Sequence, residues 1–149
     1  MRAVVQRVKR AEVRIKSKVI GRIGHGLLVL VGIGRKDSLA TGETLAAKIV
    51  QLRIFSDHEG RMNLDVREAR GEILAVSEFT LYGDCRRGRR PSYTDAAPPE
   101  EALPLYNAFV ESLKSLGVRV ETGEFRAMMD VELINDGPVT LLLDTERTF

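Results

Sequence analysis

The chain has 149 residues, 44% hydrophobic and 30% charged, with 23 basic against 21 acidic side chains. That length suits one domain, residues 1–149, with a core of its own, and the balanced charge argues against disorder. A single cysteine, Cys85, excludes an intrachain disulfide and a cysteine-only zinc site, and no apolar run approaches the ~18 residues of a membrane span. Charge interrupts the N-terminal segment before a signal-peptide core can form, so the expectation is a soluble, cytoplasmic protein.

Ala3-Val4-Val5 opens a strand. Ala11, Val13 and Ile15 then alternate with Glu12, Arg14 and Lys16, the period of a half-buried strand. Ser17-Lys18 reads as a turn into residues 19–23. Residues 26–33 form an apolar, β-branched run, which fits a central strand covered on both faces. Asp37-Ser38 offers capping chemistry, and Leu45, Ile49 and Leu52 mark one face of a helix. A short strand at 53–56 precedes the turn Asp57-His58-Glu59-Gly60, and residues 72–79 form another strand.

A polar loop at 82–98 follows, long enough to suggest function. Pro98-Pro99-Glu100-Glu101 starts a second helix, with acids at the positive end of its dipole. Leu105, Phe109, Ser112 and Leu116 track one face of it, Tyr106, Val110 and Leu113 lie beside them, and Gly117 ends it. Strands are expected at 118–122, 131–134 and 139–143, with a Gly-Pro turn between the last two. The whole is a single α+β domain of mostly antiparallel strands in a barrel-like arrangement with two main helices.

Charge is unevenly spread. Residues 1–22 carry eight basic side chains against one acid, Glu12, while Arg86, Arg87, Arg89 and Arg90 fall within five positions. A phosphate-rich partner would account for both groups; a solvated strand face accounts equally well for the first. Gly32-Ile33-Gly34 lacks the third glycine of a dinucleotide fingerprint and the Gly-Lys-Ser/Thr of a P-loop, so a turn explains it. Two segments invite chemistry. Ser77-Glu78-Phe79-Thr80-Leu81 ends a buried strand, where hydroxyls and free N–H groups suit an oxyanion site, although an ordinary strand end has the same residues. Asn135-Asp136-Gly137-Pro138-Val139-Thr140 sits between two apolar strands.

At these two segments the chain resembles the D-aminoacyl-tRNA deacylase family, and the resemblance runs from Met1-Arg2-Ala3 to Leu143-Asp144. One family motif is Ser-Gln-Phe-Thr-Leu, here with Glu78 in place of Gln; the other is a Gly-cis-Pro element, here Gly137-Pro138. Residues 89–98 are also similar to the family, while Arg126 replaces an expected Gly and Met128 stands where an acid is common.

The resemblance implies a homodimer that hydrolyses the ester between a D-amino acid and the tRNA 3′ end, and that also acts on glycyl-tRNA. It implies no metal and no cofactor. Phe79 and Thr80 would be catalytic, with Ser77, Glu78, Gly137 and Pro138 binding substrate. The Gly137 and Pro138 carbonyls would enter the partner's pocket, hold the α-amino group and leave no room for an L side chain. Arg86, Arg87, Arg89 and Arg90 would contact tRNA phosphates. Thr80 as nucleophile has no evident base, which favours assistance by the tRNA's own 2′-hydroxyl. Glu78, as a departure from the motif, points to the alternative of a non-catalytic tRNA-binding dimer.

Overall fold

The computed structural model describes all 149 residues. The two strands expected within residues 1–16 are one, β1 (Arg2–Ile15). It turns through Lys16 and Ser17, both at positive φ, into β2 (Lys18–Ile23), and β3 (Gly26–Gly32) follows. β1 is long enough to hold two neighbours end to end on one edge: residues 2–8 pair with β3 and residues 11–15 with β2, both antiparallel.

Ser38 caps α1 (Leu39–Val50): its hydroxyl accepts from the Thr41 N–H, and the Thr41 hydroxyl accepts from the Ser38 N–H. The expected strand at 53–56 shrinks to β4 (Phe55–Ser56), which pairs with an unanticipated β5 (Met62–Leu64). β6 (Glu72–Ser77) then lies parallel to β3, and after α2 (Pro99–Ser115) β7 (Val120–Thr122) lies parallel to β6. The expectation of mostly antiparallel strands holds around β1 and in the β4–β5 pair, and fails where β6 joins β3 and β7. The two helices carry the chain back across the sheet between β3, β6 and β7, and such crossovers produce parallel neighbours. The sheet curls until β2 meets β7: a Cβ on Gly21 would stand 2.5 Å from the Thr122 carbonyl oxygen. The result is a nearly closed, barrel-like sheet.

β3 and β6 are buried on both faces. Leu27, Val29, Val31, Ile73 and Ala75 face the helices, while Leu28, Leu74 and Val76 join Val8, Ala11, Val13 and Ile23 in a second core inside the curl. α2 buries Ala102, Tyr106, Phe109, Val110 and Leu113. Leu105 and Leu116 are only partly buried, so the inward stripe lies one residue round from the expected face. The Tyr106 hydroxyl donates to the Ala75 carbonyl at 3.0 Å, and burial pushes its pKa up to about 12.

The strands expected at 131–134 and 139–143 form one element, β8 (Asp130–Asp144), along the other edge of β1. Both halves pair with β1, so the chain does not reverse between them. Gln6 pairs with Thr140 and Val8 with Asn135, and the residues between, including Gly137-Pro138, bulge outwards. Much of the basic run at 1–22 is neutralised within the chain. Arg14 and Arg22 meet Glu12, Arg10 and Arg14 meet Glu132, and Arg2 meets Asp144. Glu12, expected on a solvated face, is buried, and the Arg22 guanidinium holds its carboxyl below the usual range.

Candidate active site

β6 ends at Ser77, two residues before the expected end. The chain turns there into a single 3-10 turn, Phe79–Tyr82, because Glu78 leaves the sheet after donating its N–H to the Val31 carbonyl at 2.8 Å. Phe79 is therefore not a core residue; it is 59% exposed and packs edge-on against Tyr93, with centroids 5.1 Å apart. The N–H groups of Phe79 and Thr80 open the turn, and the first N–H groups of a helical turn have no acceptor within it.

Ser77, Glu78, Phe79 and Thr80 line a cavity of about 720 Å³. Its walls are Val31 at the end of β3 and Ile33 just after it, Ala96, Ala97, Pro98, Pro99 and Ala102 around the start of α2, and Phe125 to Met129 with Val131 around the start of β8. Thirteen of the twenty lining residues are hydrophobic, which leaves the strand end as the main source of polar groups. The Thr80 hydroxyl donates to the Glu78 carboxylate, so an acceptor does stand beside it, contrary to the expectation of none. Arg126, in place of the expected Gly, lies on the rim at a φ of 65°, and Met128 beside it is almost wholly exposed.

The 82–98 loop is ordered by hydrogen bonds at both ends. Asp84 and Ser92 exchange backbone hydrogen bonds at 2.8 and 3.0 Å, closing a hairpin that displays the arginines. Its far end is tied to the segment just after β3 by the Ala97 N–H, which donates to the Ile33 carbonyl at 2.9 Å, and by the Arg35 side chain, which donates to the Thr94 carbonyl at 2.6 Å. Arg86 is committed to Asp84 through two guanidinium hydrogen bonds of 2.8 and 2.7 Å, which hold the Asp84 carboxyl well below its ordinary range. Arg87, Arg89 and Arg90 are exposed.

Gly137 and Pro138 do not line this chain's own cavity; they lie exposed on the β8 bulge, joined by a cis peptide bond. The bulge is closed by the Asn135 side chain, which accepts from the Val139 N–H at 2.8 Å and donates to the Thr140 hydroxyl at 3.0 Å. Arg7 fixes it from below. Its Nε donates to the Asp136 carbonyl at 3.1 Å, and its Nη1 donates to the Ile54 carbonyl. Arg7 belongs to the basic run expected at the surface, yet it is buried. Arg7 shares the inward parity of Ala3 and Val5, and an arginine there needs internal acceptors.

Such a cavity suits an acyl-ester hydrolase: apolar walls take the acyl part, free N–H groups can meet an oxyanion, and the nearby cations favour a polyanionic carrier. The comparisons narrow the class. The D-Tyr-tRNA(Tyr) deacylase family model matches residues 4–144. A D-aminoacyl-tRNA deacylase of Symbiobacterium thermophilum is 57% identical over 149 residues, covering 100% of this chain and 99% of the relative. The Thermotoga petrophila D-aminoacyl-tRNA deacylase is also 57% identical, with 100% of both chains covered. A solved structure titled c-Myc DNA Unwinding Element Binding Protein superposes with a TM-score of 0.92 at 40% identity, covering 97% of this chain and 99% of its own. The chain belongs to the D-Tyr-tRNA(Tyr) deacylase family.

Proposed function

We propose that this chain hydrolyses the ester joining a D-amino acid to the 3′ end of tRNA, releasing free D-amino acid and tRNA, and so proofreads chirality for translation in the cytoplasm. The observation that carries this is the place of Ser77-Glu78-Phe79-Thr80 on an apolar cavity in a chain of this family. A volume of about 720 Å³ falls within the roughly 300–1,000 Å³ of small-molecule sites and suits an aminoacyl group. Glycyl-tRNA mischarged on tRNA(Ala) is a further substrate, because glycine has no side chain to exclude.

In the reaction, water attacks the ester carbonyl, and the N–H groups of Phe79 and Thr80 hold the resulting oxyanion. As the tetrahedral adduct collapses and the bond to the ribose 3′-oxygen breaks, the adjacent 2′-hydroxyl gives its proton to that oxygen and takes one from the attacking water, leaving the free acid and an intact ribose diol. The Gln of the family motif cannot take up a proton as a base, so the shared reaction does not depend on a base at position 78.

The working unit is a homodimer. Three features support it. β8 has a partner on one edge only. Ile134 and Leu142, along the same strand, are 43% and 62% exposed. Gly137 and Pro138 stand out between them, away from their own cavity. Their carbonyls enter the partner's pocket and hold the substrate's α-amino group. The protein needs no metal or organic cofactor for this chemistry.

Incubation with D-Tyr-tRNA and L-Tyr-tRNA tests the function. Release of D-Tyr with the L ester intact is expected. No release of either from folded protein that still binds tRNA would leave the non-catalytic tRNA-binding dimer. With a tRNA ending in 2′-deoxyadenosine, hydrolysis should slow sharply while Thr80→Ala keeps measurable turnover; full activity on the deoxy substrate would overturn the assisted mechanism.

A further inference from the structure

Three charged side chains line the cavity, Arg35, Glu78 and Arg126, and Glu78 is the only anion. Its carboxylate forms no ion pair within the chain, and its one side-chain hydrogen-bond partner is the Thr80 hydroxyl, which meets Oε1. Oε2 has no hydrogen-bond partner within the chain. Glu78 is half-buried beside mostly apolar walls, where a carboxylate gains more from a cationic partner than it would in open water.

The substrate of the proposed reaction carries one cation next to its ester, the α-ammonium. That group has three N–H donors. The two backbone carbonyls assigned to it, Gly137 and Pro138 of the partner subunit, accept two of them and carry no net charge. We propose that Glu78 completes this site as an anionic subsite for the α-ammonium of the aminoacyl ester. The inference rests on the D-aminoacyl-tRNA reading and adds to it a feature of this chain: Gln at the same position offers only a neutral acceptor, whereas Glu78 offers charge.

The test compares wild type and Glu78→Gln on two esters of the same tRNA, one of D-phenylalanine and one of D-phenyllactic acid, in which a hydroxyl replaces the ammonium. Gln retains an acceptor for Thr80, so the kcat of the variant on the amino ester should change little. Its KM should rise roughly 10- to 100-fold, the loss of one charge-assisted hydrogen bond. On the hydroxy ester the variant should match wild type to within about twofold, because the group that senses the charge is gone. Equal losses on both esters, or no change on the amino ester, would overturn the proposal while leaving the deacylase reading in place. A wild type that releases no D-phenylalanine would overturn both.

Discussion

Arg126 holds φ at 65° on the rim of the cavity, in the left-handed region that side chains with a Cβ avoid. Replacement by Gly, the residue expected from the family, recovers roughly 1–2 kcal/mol of that strain and returns about 0.4–1 kcal/mol to the unfolded chain as entropy. Arg126→Gly should therefore stabilise the fold by on the order of 0.5–1 kcal/mol, seen as a rise in Tm of about 1–4 °C. A fall in Tm on thermal denaturation would show that the arginine makes a compensating interaction. The cavity residues Ser77 to Thr80 were legible at this scale because the motif is local. Arg7 was misread, although its parity with Ala3 and Val5 marked it as inward-facing. The Thr80–Glu78 hydrogen bond escaped because it depends on rotamers after the chain has left the strand.

The hairpin between Asp84 and Ser92 separates its arginines into two roles. Arg86 is spent on Asp84, whereas Arg87, Arg89 and Arg90 remain open to solvent. Alanine at the latter three should weaken tRNA binding and reduce its salt slope by roughly 0.7–0.9 for each phosphate no longer neutralised. The D/L ratio should survive, because cations on phosphates position the tRNA without reading chirality. Arg86→Ala should leave the slope nearly unaltered. Binding titrations at several salt concentrations decide the matter, and an unchanged slope in the triple variant would reduce the cluster to a solvated loop. Element types were legible where periodicity was strong, as in β3, α1 and α2. Which edge of the α2 stripe faces inward was not, since α1 and the sheet decide that together.

At the level of the molecule, the segment Asn135–Thr140 shows the limit of local reading. Asn-Asp-Gly-Pro announces an irregular backbone, but whether it turns or bulges depends on where the flanking strands pair. Both pair with β1, 116 to 142 residues earlier in the chain, so no local pattern could reveal the bulge. The face that carries it is where the proposed homodimer is most exposed to test. Sedimentation should show a dimer, and Ile134→Asp with Leu142→Asp should yield a folded monomer with greatly reduced deacylation. A monomeric wild type with full activity would refute the shared site.

The pairing of Arg2 with Asp144 also sets a timetable. β1 leaves the ribosome long before β8 exists. At synthesis rates of about 5–20 residues per second the interval is on the order of ten seconds. Throughout it a fourteen-residue strand, half of it apolar, has one edge without its eventual neighbour. Pairings this distant in sequence also slow the search for the native state. Lys9, Lys16 and Lys18, which lie exposed along and just beyond β1, put repulsive charge on that waiting edge, a common protection against pairing with a stranger. Part of the basic run at the start of the chain is thus placed where charge opposes edge-to-edge pairing before the fold is complete.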